Sequence, residues 1–410
     1  MLHIGSPNVN AGEKPVFELS IQDQSNLTSF LKDLVRTQSL SCQEGAVAAR
    51  VAAEMRAVGF DEVWTDRVGN VVGHIGGGSG PRLLYDGHMD TVGVGDPASW
   101  TRDPYGAEIE GGLLFGRGAA DMKGPLASLV YGAKLIVDSD IQLAGDLYVA
   151  AVVQEEPCEG YAMRVLVEEE GLRPDWVVLA EPTNLQVSRG HRGRMEMHVT
   201  VQGRPSHASV PQQGENAIYD AARIIFSLDL LAGSLSEDTF LGKGTLAVTH
   251  IENTAASKNV IPDSCTFVID RRLTLSETEA KAMAEVQSVI DHEDVRAQIR
   301  LAEFEHTSYT GYVCRDVERY PAWVVPENHD LVRAAARAVR QIVGARPAIG
   351  KWDFSTDGVY TMGVADIPTV GVGPGEERQA HTANEHIRLS DCFTAARIYA
   401  QLSADLLRQV

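Results

Sequence analysis

The sequence predicts an α/β fold: a mixed β-sheet flanked by helices, interrupted by a smaller α+β unit. Three observations carry this reading. Short, wholly apolar runs of strand length alternate with helical patterns over the first 190 residues, as buried strands of a largely parallel sheet do. Near residue 191 the pattern changes to strict alternation, M-E-M-H-V-T-V at Met195 to Val201, which suits a half-exposed antiparallel strand. Patterns of the first kind resume at Asn328. The larger domain is therefore expected at 1–190 and 312–410, and the inserted unit at 191–311. At roughly 150 residues per domain, 410 residues leave room for both.

The elements follow in order. Leu31, Leu34 and Val35, then Val47, Val51 and Met55, recur at helical spacing and predict two helices between Leu27 and Val58. Asn70 to Ile75 and Arg82 to Tyr85 read as strands, with a glycine-rich turn at Gly76 to Gly80. Gly124 to Val137 is apolar and rich in small residues, a buried helix. Leu147 to Val153 and Trp176 to Ala180 are buried strands. In the insertion, Asn216 to Leu231 and Ser276 to Ile290 read as helices, Thr245 to Ile251 and Cys265 to Arg271 as strands. A helix at Asn328 to Val343, a strand at Pro368 to Val372 and a helix at Ser390 to Leu407 complete the larger domain.

Composition excludes some classes. With 36 basic against 56 acidic residues the net charge is -20, the opposite of the clustered Lys and Arg that nucleic acid requires. No run of 18 apolar residues is present, so no membrane span is expected. Met1 to Pro15 has no basic patch followed by an apolar run, so no signal peptide is expected. Cys42, Cys158, Cys265, Cys314 and Cys392 are widely spaced and odd in number, as in a reduced, cytoplasmic protein.

The chemistry-bearing residues sit at the ends of the apolar runs. In L-L-Y-D-G-H-M-D a strand leads directly into His88 and Asp90, and ligands bind at the carboxyl ends of such strands. His88 suits a borderline-soft divalent ion, and Asp90 could accept its other ring N–H. In G-R-G-A-A-D-M-K-G, glycines surround Asp121, whose two oxygens can bridge two cations. V-V-Q-E-E-P-C-E-G ends a strand in adjacent acids: Glu156 would bind a metal, and Glu155 would stay free as a base. V-V-L-A-E-P-T ends in Glu181, and His381 follows the glycine-rich G-V-G-P-G. Each piece alone has a structural reading as a turn, a cap or an acidic surface. Their joint occurrence favours a metal site. A serine hydrolase finds no G-x-S-x-G elbow, and Cys158 has no evident helper base.

With these residues in view, the chain resembles the co-catalytic zinc family of aminoacylase, acetylornithine deacetylase, succinyl-diaminopimelate desuccinylase and carboxypeptidase G. The resemblance runs from about Asn26 to the end. It rests on D-G-H-M-D at Asp86, G-R-G-A-A-D-M-K-G at Gly116, Q-E-E at Gln154, A-E-P-T at Ala180, S-H-A-S-V-P at Ser206, G-E-N-A-I at Gly214 and H-T-A-N-E at His381. R-G-H-R-G-R-M-E at Arg189, F-L-G-K-G-T-L at Phe240, I-D-R-R-L-T at Ile269 and K-W-D-F-S-T-D-G at Lys351 resemble its selenium-metabolism-linked branch.

The resemblance implies a dinuclear-zinc hydrolase domain interrupted by a lid and dimerisation domain. His88 and Glu181 would hold one divalent ion, Glu156 and His381 the other, and Asp121 would bridge them; the ions would be zinc, with cobalt or manganese as alternatives. Glu155 would be general base and then acid. His207 would reach the partner subunit's site in a homodimer and polarise the scissile carbonyl, helped by Asn259. Arg271, in preference to Arg272, would bind a substrate carboxylate. Thr356 and Asp357 would line the pocket or form a turn, and His386 would lie on the surface. The substrate would be a small N-acyl amino acid or dipeptide. The alternatives are an N-carbamoyl-amide hydrolase, or a metal-binding homologue without chemistry; the latter would lack the base or a ligand, and all are present.

Overall fold

A computed structural model of the chain describes residues 17–408, so the stretch read for a signal peptide, Met1 to Pro15, lies outside the described residues. The larger domain is built on a nine-stranded mixed sheet. Arg82–His88 runs parallel to Asp146–Val152 on one side and to Trp176–Leu179 on the other. Thr369–Gly371 extends the parallel set beyond Trp176–Leu179. Val71–Ile75 and Glu62–Thr65 add antiparallel strands at one edge. Val187–His191, with Trp323–Val324 and Ile349–Trp352, forms the other edge.

The central strands are apolar because both faces are covered. Leu83, Leu84, Tyr85, Val149, Ala150, Val177 and Val178 are fully buried, each large aliphatic contributing about 1.5–3 kcal/mol. Helices Gly124–Val137, Leu389–Leu407 and Asp330–Val343 pack side by side against the sheet. At Gly132 a Cβ would come within 2.8 Å of Tyr399 Cβ. The small residues of the Gly124 helix are thus what let the helices approach. No described helix is long and apolar enough to cross a membrane.

The insertion has its own core. Strands Thr245–Asn253, Ser264–Leu273, Gly193–Gln202 and Ala297–Leu301 form an antiparallel sheet in that order. Helices Ala217–Ala232 and Glu279–Glu293 cover it, and Met197, Val199, Phe267, Ile269, Ile224 and Val286 are buried between them. The cores change over at Leu301 rather than at residue 311. The hairpin Glu303–Thr307 with Val313–Val317 sends Phe304 and Cys314 into the larger core. Its E-F-E-H-T sequence alternates as the lid strands do, so periodicity could not tell which core its one large apolar residue would join.

Two closely packed strands connect the units. Val187–His191 belongs to the large sheet and Gly193–Gln202 to the insertion, separated by Arg192 alone. The chain returns through Arg319–Tyr320, paired with Gly193–Gln202, and then Trp323–Val324, paired with Val187–His191. At Gly193 a Cβ would meet the Tyr320 carbonyl at 2.4 Å, and at Gly190 the Trp323 carbonyl at 2.4 Å. Glycine is required at both crossings.

Candidate metal centre

The parallel register brings the site together. His88 ends its strand opposite Val152. Glu155 and Glu156 follow Val152 after a turn in which Gln154 is left-handed, φ 56°, and Glu181 follows the end of Trp176–Leu179. Asp121 arrives on the glycine-rich loop before Gly124–Val137, where the Asp121–Met122 peptide is cis. His381 comes from a loop of its own, also left-handed, φ 59°.

His88 Nδ1 lies 2.9 Å from the Asp90 carbonyl oxygen. A carbonyl only accepts, so Nδ1 carries the proton and Nε2 faces the cluster. Asp90 therefore holds the ring through its backbone, whereas the sequence suggested its carboxylate, which is 3.7 Å away. That carboxylate accepts from the Glu155 and Glu156 backbone N–H groups at 3.2 and 3.3 Å and from Ser41 Oγ at 2.7 Å. Nε2 of His88 lies 3.0 Å from Asp121 Oδ1, 3.6 Å from Glu181 and 3.9 Å from Glu155. Nε2 of His381 lies 3.4 Å from Asp121 Oδ2 and 2.9 Å from Glu156. Asp121 thus turns one oxygen toward each imidazole. Ligating atoms of His88, Asp121 and Glu156 lie within 4.8 Å of one another, as do those of His88, Glu155 and Glu181.

The electrostatics fit a cation site. Four carboxylates crowd together, and their only ion-pair partners among the described residues are imidazoles. Burial raises Glu155 and Glu181 well above the ordinary carboxylate range, and neighbouring carboxylates add to it. The Asp121 and Glu156 carboxylates push His381 up to about 10. Burial opposes ionisation of Asp121, yet the His381 and His88 rings outweigh it and hold its pKa below the usual range. Uncompensated burial of such charge is costly, and the upward shifts of Glu155, Glu181 and His381 are those a missing positive charge would leave. Mixed imidazole and carboxylate donors suit zinc, cobalt or manganese.

The supporting roles of several residues escaped the sequence reading. Glu44 is buried and accepts from the Cys42 and Gln154 backbone N–H groups at 2.9 and 3.2 Å, bracing the Glu155 turn. Asp357 and Thr356 are buried, not in an open pocket. Asp357 accepts from Gly160 N at 2.5 Å, and Thr356 N donates to His191 Nε2 at 3.1 Å. Glu385 accepts from the backbone of the Asp121 loop. The signals were present in S-T-D-G and H-T-A-N-E, but a buried acid holding backbone N–H groups has the same sequence as an exposed one. Cys158 is buried, and His386 is half-buried against Phe115, their ring centres 5.0 Å apart.

The lid residues lie elsewhere. His207 and Asn259 are exposed neighbours: His207 pairs with Val260 across two short strands, and Ala208 N donates to the Asn259 carbonyl at 2.9 Å. Neither touches the metal cluster of its own chain among the contacts of the described residues. Arg271 requires a correction. Its side chain is fully buried in the lid, bonded to Glu277 at 2.5 Å and Glu285 at 3.3 Å. A substrate carboxylate has no access to it. Arg272, one residue on, points to the opposite face of the strand, bonds to Asp270 at 2.8 Å, and lies in electrostatic range of Glu159 and His191 of the larger domain.

Similarity to known proteins agrees with this geometry. The chain is 41% identical over 390 residues to YgeY of Escherichia coli strain K12, an uncharacterized protein, covering 95% of this chain and 96% of that one. It is 24% identical over 396 residues to succinyl-diaminopimelate desuccinylase of Marinobacter nauticus, covering 92% and 97%. It shares the fold of YxeP of Bacillus subtilis, described as a dinuclear metal-binding peptidase, with a TM-score of 0.69 at 15% identity over 94% of this chain and 98% of that one. Residues 84–405 match the model of peptidase family M20/M25/M40, and the chain belongs to that family.

Proposed function

We propose that this metallohydrolase of amide bonds holds two zinc ions, one between His88 and Glu181 and one between Glu156 and His381, with Asp121 shared. The observation that carries this reading is the Asp121 carboxylate, one oxygen 3.0 Å from His88 Nε2 and the other 3.4 Å from His381 Nε2. Cobalt or manganese would serve the same donors.

When bound, the ions would polarise the amide carbonyl and acidify the attacking water. The chain's own residues do the rest. Glu155 takes the proton of that water and returns it to the leaving amine, a role suited to a buried carboxyl held well above its usual range. Asp90 fixes the backbone of Glu155 and Glu156 while its carbonyl sets the His88 tautomer. His207 and Asn259 serve the partner subunit's site in a homodimer, where the imidazole donates to the carbonyl oxygen as it becomes an oxyanion. Support for dimerisation comes from the lid surface, where Tyr219, Phe226 and Leu230 of one helix and Ile251 of the edge strand are exposed apolar side chains. Arg272 meets the carboxylate of a small N-acyl amino acid or dipeptide. A reducing, cytoplasmic compartment suits the five free thiols.

Hydrolysis of a panel of N-acyl amino acids, dipeptides and N-carbamoyl compounds by metal-loaded protein tests the reading. Turnover of the first two, lost on chelation and restored by zinc, is expected. Turnover of N-carbamoyl compounds alone would replace the proposed substrate class, and no turnover of any would remove it.

A further inference from the structure

The two histidines of the centre are held very differently. His88 is fixed by its strand pairing and by the Asp90 carbonyl. His381 is half-exposed on a left-handed turn, and among the described residues its ring pairs only with Asp121 and Glu156. What fixes the His381 loop lies three and four residues further on. Asn384, left-handed at φ 58°, accepts from Thr101 N and Oγ1 at 2.8 Å each. Glu385 is fully buried and faces the loop that carries Asp121.

Nearly every lone pair of Glu385 is spent on that loop. Oε1 accepts from Ala120 N at 2.8 Å and Asp121 N at 3.0 Å. Oε2 accepts from Gly118 N at 3.0 Å and the Arg117 guanidinium at 2.7 Å. The Glu385 carbonyl accepts from Gly116 N at 2.9 Å. These N–H groups precede the first turn of Gly124–Val137 in an irregular stretch, with Gly116 at φ 154° and Gly118 at φ 80°. They have no helix or strand partner, and a buried N–H must be paired. One carboxylate pairs three of them.

We propose that Glu385 is a positioning residue: it sets the Asp121 loop and the His381 loop in register, and so governs the affinity of the half-site made by Glu156 and His381. This inference rests on the two-ion reading above. Glu385 touches neither ion nor substrate. Its effect is unequal because His88 and Glu181 follow paired strands, whereas His381 sits on a loop that Asn384 and Glu385 tie down.

The test is calorimetric titration of metal-free protein with zinc, comparing wild type, Glu385→Gln and His381→Ala, together with activity against free zinc. Gln keeps the size of Glu385 but turns an NH2 toward groups that donate. Losing such a partner typically weakens metal binding by about 10–100-fold. Glu385→Gln is expected to fold, to weaken by that factor the same binding event that His381→Ala abolishes, and to leave the other within a few-fold of wild type. Its kcat should recover in excess zinc with KM unchanged. Wild-type affinity at both half-sites, equal weakening of both, or failure of the variant to fold would overturn the proposal. A single ion in the wild-type protein would instead sink the two-ion reading.

Discussion

The metal cluster and the exposed lid surface bear candidate catalytic residues in opposite ways. Around His88 the register of three parallel strands brings together His88, Glu155, Glu156 and Glu181, two loops add Asp121 and His381, and Asp90, Glu44, Asp357 and Glu385 brace the surrounding backbone. Around His207 the side chains stand free: His207 has Ser209 at 2.7 Å as its side-chain partner, and Asn259 has Ser257. A site complete within the chain is buried and preorganised. A site that waits for a second surface is exposed and lightly held. On the proposed reading, the lid is the part of the machinery that a partner would complete.

The largest effect expected is at the complete site. Glu155→Gln should lower kcat by about 10²–10⁴-fold, the usual worth of a positioned general base, while zinc binding measured by calorimetry stays near wild type. Turnover close to wild type would remove Glu155 from the proton path. Next comes the incomplete site. His207→Ala should lower kcat by about 10²–10³-fold, as loss of an oxyanion donor does. Mixing that variant with Glu155→Gln should restore about a quarter of wild-type activity, because half of randomly mixed dimers carry one intact composite site. No recovery would mean that His207 does not act across subunits.

The two lid arginines should separate stability from binding. Arg271→Gln strands the buried Glu277 carboxylate and should cost about 3–5 kcal/mol in denaturant unfolding. Arg272→Gln should leave the unfolding midpoint nearly unchanged and raise KM for carboxylate-bearing substrates by about tenfold, near 1.4 kcal/mol. The reverse pattern would reinstate Arg271. A separate effect is a slope with pH at the junction of the two units. Burial lowers His191 to about 4, against about 6.5 in the unfolded chain. The folded state holds the neutral ring, so its contribution is complete above pH 6.5 and is lost as pH falls toward 4. The loss amounts to about 3 kcal/mol. Unfolding free energies of wild type and His191→Gln across that window should differ in slope, and parallel curves would show that His191 titrates normally.

Much of this was legible in the chain. The strand ends at His88, Glu155 and Glu181 could be read because buried parallel strands are continuous apolar runs, and the acids that follow them stand out. The change of period at Met195 coincides with the passage of the chain from the nine-stranded sheet to the antiparallel one. Arg271 was misplaced although the signal was there. Cys265, Phe267, Ile269 and Leu273 are all buried on one face of their strand, and period two puts Arg271 with them. A charged residue on that face argues for a buried ion pair, and the partner, Glu277, is only six residues on. The roles of Glu44 and Asp357 were not legible. The donors that tie them to the site, the Gln154 and Gly160 backbone N–H groups, lie over a hundred residues away, which no local pattern encodes.

The narrow crossing at Gly190 to Gly193 and Arg319 to Trp323 has an evolutionary consequence. Every proposed metal ligand and Glu155 lie outside the interval it encloses, while His207, Asn259 and Arg272 lie within it. Two neighbouring strands are a small seam for grafting. Apart from the hairpin that packs into the larger core, what is sewn in there can drift in sequence, or be exchanged for another module, without moving a ligand. One inherited reaction centre can then be fitted with many recognition surfaces, with the bond-breaking chemistry held constant while the choice of what is broken changes.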